Sequence, residues 1–227
     1  MPFVFDSIFA RGRRRDHPGW PETAGPVTTC HNDEIMLRPI TGDDGDWWRA
    51  TRVKQEARLR PVEPTVPQGW LRAHTPAAWR EHCRLLRDSA RDGVTVPFVI
   101  VVNGDRAGEL TLGSISHGSI SECWIGYWVA AEFTGRHVAT VATALGTDHA
   151  FTRVGLHRVT ATYLPDNPAS GAVLRRNGFR EEGFLLSDIN INGRWRDHHL
   201  MALTEDELHG GCVGFLEQAG LIVDSAP

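Results

Sequence analysis

The sequence predicts an α+β fold, in which helices flank a mixed but mostly antiparallel twisted sheet. Strand-like segments rich in apolar residues fill the middle of the chain, between residues 94 and 129. Segments with apolar residues at helical spacing precede and follow them. The resulting order is a strand and two helices, several antiparallel strands, and then helix, strand, helix and two strands. This order is typical of one sheet with helices packed on its faces.

Length and composition limit the class of protein. The chain has 227 residues, 41% hydrophobic and 23% charged, which suffices for one compact domain. The net charge of −4 provides no general attraction to nucleic acid, so we expect no direct nucleic-acid binding. No apolar run is long enough for a membrane span, and we expect a cytoplasmic monomer or homodimer. The widely spaced cysteines indicate a reducing compartment and no structural zinc; they are Cys30, Cys83, Cys123 and Cys212.

The chain divides into three predicted parts. An irregular N-terminal arm covers residues 1–34 and includes a basic run at 11–15, which we interpret as a solvated tail, with a weak contact to RNA or the ribosome as the alternative. The folded domain covers 35–204, and a C-terminal extension covers 205–227. Within the domain, the first predicted elements are a strand at 35–40, a helix beginning near Thr41, a stiff proline-containing loop over 59–70 and a helix from Thr75 to about Ala90.

Periodicity and turn residues predict the remaining elements. Asn103-Gly104 and Asn192-Gly193 are typical of tight hairpin turns, and each pair lies between two strand-like segments. Gly155 is a suitable helix stop. The predicted elements are strands at 94–102, 109–116 and 122–129, a helix at 137–151, a strand at 157–164, a short helix at 168–177, and strands at 180–190 and 195–203.

The short helix has the clearest local signals. Asn167 suits the position before the helix, because its side-chain oxygen can accept from an unpaired N–H of the first turn. Pro168 suits the first helical position, since it has no N–H to leave unpaired. Gly178 can adopt the left-handed conformation that ends a helix.

The segment from Trp128 to Thr140 combines the end of a strand, a loop and the start of a helix. A helix start offers unpaired N–H groups and the positive end of the helix dipole, which suits a phosphate. Gly135 lets the backbone approach a ligand closely, and Arg136 and His137 add donors. The residues alone leave two interpretations open, a phosphate-binding loop or an ordinary turn between strand and helix.

Three segments in order resemble successive signatures of the GNAT acetyltransferase superfamily. They read IGYWV at 125–129, GRHVAT at 135–140, and DNPAS at 166–170 followed by NGF at 177–179. The run NGRWRDHHL at 192–200 resembles the RimJ/RimL branch, the ribosomal-protein N-terminal acetyltransferases. Matching features extend from about residue 35 to residue 203.

The resemblance implies the GNAT fold, in which splayed central strands form an acetyl-CoA cleft. Here the cleft would lie between the strand at 122–129 and the strand that begins at His157. The backbone of Tyr127, Trp128 and Val129 is implied to pair with the pantetheine arm, and Asn167 to hydrogen-bond near its reactive end. The residues implied to hold the pyrophosphate are Gly135, Arg136, His137, Val138, Ala139 and Thr140.

The phosphate loop departs from the family pattern at two positions. The family usually has Gln or Arg where this chain has Thr134, and a second glycine where it has His137. An imidazole can donate to a phosphate, but its bulk narrows the loop. The sequence leaves open whether His137 weakens the binding of CoA.

Acetyl transfer from a thioester to an amine requires a neutral amine and a proton for the leaving thiolate. Many GNAT enzymes supply that proton from a tyrosine in the short helix, where this chain has Leu174. The RimJ/RimL branch resembles this chain in placing a serine in the first turn, and we expect Ser170 to be the acid. The alternative is a hydroxyl that bonds only to the backbone.

The general base is less clearly indicated. Glu109 and Glu122 are the candidates, because both lie on predicted central strands. If neither serves, a water chain could deprotonate the amine, since an α-amine with a pKa of about 8 is already partly neutral. We interpret Cys123 as a small buried residue rather than an acetyl-carrying nucleophile.

The implied acceptor lies across the cleft from the cofactor. The PVEP run at 61–64 resembles a loop of the RimJ side of the branch. We expect Glu63 to attract the acceptor's amino group and Trp70 to touch the acceptor. No metal site is expected, because His198 and His199 have no third ligand nearby in the sequence.

The resemblance implies an N-acetyltransferase that uses acetyl-CoA as cosubstrate. The implied acceptor is the N-terminal α-amine of a protein, with a ribosomal protein as the expected partner. Two alternatives remain open, an acetyltransferase for a small amine and a non-catalytic acetyl-CoA-binding module.

Overall fold

The fold is built from strands and helices in the order that the sequence predicts, with additions at both ends and two four-residue helices between the first two predicted helices. The computed structural model describes residues 17–225, so the basic run at 11–15 lies outside the described residues. The strands are β1 (Ala24–Thr29), β2 (Glu34–Pro39), β3 (Val96–Val102), β4 (Asp105–Ser116), β5 (Glu122–Val129), β6 (Arg158–Tyr163), β7 (Arg180–Ile191), β8 (Arg194–Thr204) and β9 (Ile222–Ser225). The helices are α1 (Gly45–Lys54), α2 (Glu56–Leu59), α3 (Trp70–Ala73), α4 (Pro76–Arg91), α5 (Val138–His149), α6 (Pro168–Arg176) and α7 (Gly211–Gln218).

All described strands belong to one nine-stranded sheet with the order β7-β8-β6-β5-β4-β3-β2-β1-β9. Strands β5 and β6 are parallel, and every other neighbouring pair is antiparallel. The parallel pair arises because α5 carries the chain from the end of β5 back to the start of β6. The predicted α+β fold is confirmed.

Helices cover both faces of the sheet. Successive side chains of a strand point to opposite faces, so neighbouring residues of β4 identify what covers each face. The carboxylate of Glu109 contacts the indole of Trp48 from α1. The next residue, Leu110, lies against α5, where a Cβ added at Gly146 would come within 2.8 Å of its side chain. The two faces of β4 are therefore covered by α1 and by α5.

Turn chemistry explains the two hairpins. Asn103 and Gly104 join β3 to β4 with φ of 51° and 86°, and Asn192 and Gly193 join β7 to β8 with φ of 46° and 84°. Two successive positive φ angles match the right-handed twist of the flanking strands, and asparagine and glycine adopt them at low cost. Both predicted turns are confirmed.

The prediction that residues 1–34 form an irregular arm is wrong for residues 24–29. Those residues form β1, which pairs with β2 on one side and β9 on the other. Gly25 and Pro26 disfavour a strand locally, but they lie where the register shifts between Ala24 and Val27. A shifted register leaves backbone groups outside the ladder, so a proline without an N–H is tolerated there.

The predicted C-terminal extension continues the same sheet. Helix α7 packs on α5, and β9 completes the edge beside β1. Asp148 of α5 accepts the backbone N–H groups of Cys212 and Val213, at 2.7 and 3.0 Å, and so satisfies the first turn of α7. Within residues 17–225, no helix combines the length and the apolar character that a membrane crossing requires.

Candidate active site

Strands β5 and β6 pair only at their beginnings. The paired residues run from Glu122 with Arg158 to Trp124 with Thr160. Beyond them β5 continues to Val129 beside β4, while β6 diverges and pairs with β8. The resulting wedge-shaped opening beside residues 125–129 is called the cleft below. It lies where the sequence predicts splayed central strands.

The predicted pantetheine-binding residues lie on the edge of β5 that borders the cleft. Tyr127 and Trp128 point to opposite faces of the sheet. Tyr127 points toward α6, and Trp128 points toward α1, where its ring stacks on Trp47 with centroids 5.6 Å apart. The carbonyl of Val129 already accepts a hydrogen bond from Arg58, so this acceptor is engaged.

Tyr127 and Ser170 meet on the α6 side of the cleft. The Tyr127 hydroxyl lies 3.2 Å from the Ser170 hydroxyl and donates to the Ser170 carbonyl at 3.3 Å. Burial raises the pKa of Tyr127 to about 12, so the phenol keeps its proton at neutral pH. Ser170 is half-buried and has a protonated hydroxyl as its neighbour.

The start of α6 confirms the predicted cap. The side-chain oxygen of Asn167 accepts the backbone N–H of Ser170 at 3.4 Å, and Pro168 occupies the first helical position. Leu174, at the position of the family's usual tyrosine, is fully buried in the core. The cap holds Ser170 in the first turn at the edge of the cleft.

The predicted phosphate loop forms the start of α5. Gly135 has a φ of +77°, with no atom within 4 Å of the position that a Cβ would take. The first-turn residues Val138, Ala139 and Thr140 have backbone N–H groups without helical acceptors. His137 is the residue before the helix and adopts the left-handed conformation, with a φ of 61°. Its backbone thus takes the conformation that a glycine adopts most readily, which agrees with the family's glycine at this position.

The Arg136 side chain is paired with an acidic residue from the turn after β1. Its guanidinium makes a two-point contact with the buried carboxylate of Asp33, which also accepts a hydrogen bond from Asn103 at 2.9 Å. The Arg136 hydrogen bond is the main cause that lowers the pKa of Asp33. The sequence predicts that Arg136 donates to a phosphate, but in this conformation its guanidinium is already paired.

Glu109 lies on the opposite side of β5 from Ser170. Its Oε2 accepts from the indole N–H groups of Trp48, at 3.0 Å, and Trp128, at 2.7 Å. Its Oε1 is buried without a hydrogen-bond partner among the described residues. Burial raises the pKa of Glu109, and the positive charge of Arg52 opposes that rise. A carboxylate with a raised pKa and one unused oxygen is suited to accept a proton.

Arg52 lies at the centre of a cage formed by three tryptophans. Its guanidinium carbon is 5.2 Å from the ring centroids of Trp48, Trp70 and Trp128. It forms an ion pair with Glu63, and its Nε donates to Nε2 of His74 at 2.7 Å. These three rings are called the tryptophan cage below.

The histidines around the tryptophan cage are neutral. Burial lowers the pKa of His74 and of His82 to about 4, and the charge of Arg52 acts in the same direction. Burial raises the pKa of Glu63, with Arg52 opposing and Glu109 reinforcing the rise. Arg58 also opposes the rise in the pKa of Glu63, so two guanidinium groups act on this carboxyl.

Glu63 and Trp70 line one cavity of ≈ 230 Å³, between the proline-containing segment and the turn that joins β7 to β8. A bridge between Pro64 and Ile191 closes one side. The hydroxyl of Thr65 accepts the backbone N–H of Gly193 at 2.7 Å. The structure therefore brings together the two predicted acceptor-binding residues. Glu63 is already paired with Arg52.

The candidate base Glu122 is not brought to the cleft. It lies at the first residue of β5, where its carboxylate is 3.4 Å from Arg158, and Arg158 also binds Glu182. At about 3.3 Å per residue, it is some 16 Å along the strand from Tyr127. Cys123 is buried, and burial raises its pKa to about 12, so its thiol is not a nucleophile at neutral pH.

Sequence reasoning missed Arg52, Trp48 and the hydroxyl of Tyr127. Trp48 and Arg52 are four residues apart on α1, which places both on one helix face and was the only local signal for them. The tyrosine was assigned only a backbone role. Its contact with Ser170 joins residues 43 positions apart in the chain, so local patterns do not reveal it.

The cleft, the helix start beside it and the capped short helix agree with a family match. Residues 34–180 match the family model described as an acetyltransferase (GNAT) domain. The chain belongs to this family. The match confirms the predicted family and the predicted enzyme class, an N-acetyltransferase.

Individual relatives agree with the family match. The chain is similar to RimJ of Mycobacterium smegmatis, which was solved in complex with CoA-disulfide. The two are 43% identical with a TM-score of 0.88, and the match covers 91% of this chain and 98% of that one. It is 27% identical over 184 residues to the [ribosomal protein uS5]-alanine N-acetyltransferase of Escherichia coli K12, covering 79% of this chain and 92% of that protein. It also resembles the ribosomal-protein-S5-alanine acetyltransferase of Vibrio fischeri, with 25% identity, a TM-score of 0.69 and coverage of 77% and 95%.

Proposed function

We propose that this protein transfers the acetyl group of acetyl-CoA to the N-terminal α-amine of a ribosomal protein. The names of the similar E. coli and V. fischeri proteins and the CoA-disulfide complex of the M. smegmatis RimJ support the proposal. The observation that carries it is that Ser170 and Glu109 contact the neighbouring residues Tyr127 and Trp128 of β5 from opposite faces. The proposed proton donor and the proposed proton acceptor thus lie against opposite faces of β5, the strand that borders the cleft.

The start of α5 suits the phosphates of the cosubstrate. The open space at Gly135 and the unpaired N–H groups of the first turn form a cradle for an anion. When bound, acetyl-CoA supplies the activated acetyl group, which the amine takes up by direct attack. The free edge of β5 at residues 125–129 would hold the pantetheine arm as an added strand.

Glu109 is the proposed general base. Its unpartnered Oε1 would receive a proton from the acceptor's ammonium group, while the two indoles hold Oε2 in place. The charge of Arg52 opposes the burial that raises the pKa of Glu109 and so favours the carboxylate form that can take up this proton.

Ser170 is the proposed acid. Its hydroxyl would donate a proton to the sulfur that leaves, and the phenol of Tyr127 would turn its one proton from the Ser170 carbonyl to the serine hydroxyl oxygen as negative charge develops there. The high pKa of Tyr127 keeps that phenol a donor throughout. Asn167 fixes the first turn of α6 and thereby the position of Ser170.

The cavity beside Glu63 and Trp70 is the proposed entry for the acceptor's first residues. It adjoins the tryptophan cage and opens between two segments that are joined by hydrogen bonds. An extended peptide end could enter there more readily than a folded surface. A ribosomal acceptor would agree with the cytoplasmic location that the sequence predicts.

The test measures thiol release from acetyl-CoA with three acceptors. One is a peptide with the N-terminal sequence of ribosomal protein uS5, starting at alanine; the second is the same peptide with an acetylated N-terminus; the third is spermidine. We expect release only with the free peptide. Release only with spermidine would show a small-amine enzyme, and none with any amine despite CoA binding would show a binding module.

A cellular test identifies the acceptor. Mass spectrometry would compare the N-termini of ribosomal proteins between the parent strain and a strain without this gene. We expect one ribosomal protein to lose its N-terminal acetyl group and to regain it when the gene is restored. An unchanged set of N-termini would contradict a ribosomal acceptor.

A further inference from the structure

The turn that follows β1 carries a cysteine and a histidine in a constrained backbone. The hydroxyl of Thr29 accepts the backbone N–H groups of His31 and Asp33, both at 3.2 Å. The N–H of Cys30 donates to the carbonyl of Leu221 at 3.0 Å. Thr29 is fully buried, while Cys30 and His31 are exposed. The backbone is therefore held in place, and the side chains of Cys30 and His31 extend from it into solvent.

An ion pair joins this turn to the start of α5. Asp33 ends the turn and binds the guanidinium of Arg136, and the next residue in the loop is His137. The ion pair and the backbone conformation of His137 keep the imidazole of His137 beside the turn. The rings of His31 and His137 stack with centroids 5.4 Å apart and planes 11° apart.

Three potential metal ligands meet at this junction. Cys30, His31 and His137 each offer one ligand atom, and these three atoms lie within 4.8 Å of one another. Neither the sequence motifs nor the proposed acetyl transfer uses the thiol of Cys30 or the ring of His31.

We propose that Cys30, His31 and His137 bind one Zn²⁺ ion that links the turn after β1 to the start of α5. A thiolate and two imidazoles are a ligand set that Zn²⁺ prefers, with water in the fourth position. Ligand atoms around tetrahedral zinc lie about 3.5 Å apart, so the side chains must close by about 1 Å. Exposed Cys30 and His31 can rotate to do so. On binding, the Cys30 thiol releases its proton to solvent and the sulfur forms the bond to zinc.

A bound ion would stabilise the folded protein. The ligands come from two segments far apart in the chain, and the unfolded chain does not hold them together. Binding to the native state alone raises the free energy of unfolding in proportion to the logarithm of the metal concentration. The proposal does not depend on the proposed acetyl transfer, because metal binding and thermal unfolding are measured without substrate.

The test uses Co²⁺ as a spectroscopic probe and Zn²⁺ as a competitor, on the full chain. We expect a thiolate-to-cobalt charge-transfer band that saturates at a single equivalent and is displaced by Zn²⁺. The variant Cys30→Ser is expected to lose the band. His31→Asn and His137→Asn are expected to weaken Co²⁺ binding at least about tenfold. Asparagine suits position 137, because it tolerates the left-handed conformation better than most residues.

The control variant is His117→Asn. The Nε2 atoms of His117 and His17 lie 3.3 Å apart, so this pair is another place where a metal could collect, without a thiol. We expect His117→Asn to keep the charge-transfer band and the Zn²⁺-dependent rise in Tm, and Cys30→Ser to lose both. No band in the unsubstituted protein, or the same band in Cys30→Ser, would overturn the proposal.

Discussion

The hydroxyl oxygens of Tyr127 and Ser170 lie 3.2 Å apart, so a central strand and a short helix are joined across the cleft. The contact is possible because β6 diverges from β5 beyond Trp124, which lets the first turn of α6 approach the free edge of β5. A serine at this position therefore has a phenol as its partner, although the family's usual tyrosine position is a buried leucine.

Ser170→Ala removes the proposed acid. We expect kcat to fall by about 100-fold or more, the usual range for a general acid, with little change in the affinity for acetyl-CoA. The first turn of α6 keeps its cap, since the Asn167 side chain bonds to a backbone N–H. Steady-state kinetics and CoA titration would measure the two effects separately. Unchanged turnover would remove Ser170 from the mechanism.

Tyr127→Phe removes only a hydroxyl. We expect a several-fold fall in kcat, consistent with a hydrogen bond of about 1 kcal/mol, and an unchanged KM for acetyl-CoA. If Tyr127 acts through Ser170, the kcat of the double variant Tyr127→Phe/Ser170→Ala should be no lower than that of Ser170→Ala alone. Additive losses in the double variant would show that the phenol acts on the reaction by another route.

Glu109→Gln and Glu122→Gln compare the two candidate bases. Glutamine at 109 can still accept from both indoles but cannot take up the acceptor's proton, so kcat/KM should fall by about 100-fold or more. Glu122→Gln should have little effect, because Glu122 lies beside Arg158 at the paired end of β5. The reverse order of effects would make Glu122 the base.

The pH profile tests the same assignment. Burial raises the pKa of Glu109, so kcat/KM of the unsubstituted protein should rise with pH as this carboxyl loses its proton. In Glu109→Gln that rise should disappear and leave only the ionisation of the acceptor amine, near pKa 8. If kcat/KM of Glu109→Gln still rose with pH in the same acidic range, the base would be a different group.

Arg52→Met tests the charge at the centre of the tryptophan cage. The variant leaves the carboxylate of Glu63 buried without its cation, and breaking a buried pair costs about 3–5 kcal/mol. Urea unfolding would measure the loss. We expect Glu63→Gln in the Arg52→Met background to restore part of the stability, because it removes the uncompensated charge. A double variant no more stable than Arg52→Met would contradict this account.

Asp44 makes stability depend on pH in acid. Burial alone would raise its pKa, but hydrogen bonds from Arg38 and Arg106 outweigh burial and hold the pKa at about 2, against 3.8 ordinarily. This carboxylate therefore stabilises the fold above pH 3.8, by on the order of 2 kcal/mol, and the contribution is lost as the pH falls toward 2. Asp44→Asn should be destabilised at neutral pH and should match the unsubstituted protein near pH 2. A loss of stability in Asp44→Asn that does not change with pH would contradict the lowered pKa of Asp44.

The sequence predicted the elements whose signals are local. β5 spans Glu122–Val129 as predicted, because its residues favour strands and turns bound it. The cap at Asn167 and Pro168 and the turn at Asn192-Gly193 were predictable for the same reason. Each depends on the conformational preferences of a few consecutive residues, which distant parts of the chain did not override.

The edge strands show where local signals fail. β1 contains Gly25 and Pro26, which disfavour strands, and β9 is a four-residue segment at the end of the chain. The two pair with each other, and a β-strand is stabilised mainly by its neighbours rather than by its own residues. Only the assembled sheet therefore reveals them.

The sequence alone determined the family, the order of most elements and the position of Ser170, because ordered motifs and helix caps are contained in short segments. The tertiary structure decided what surrounds each candidate base. Glu109 and Glu122 both lie on predicted central strands, but the carboxylate of Glu109 lies against Trp48 and Trp128, whereas that of Glu122 lies in a surface ion pair with Arg158. Arg52 gains Glu63 and the tryptophan rings as partners only when α1 packs on the sheet. A buried charge requires such partners, and here they come from separate segments of the chain.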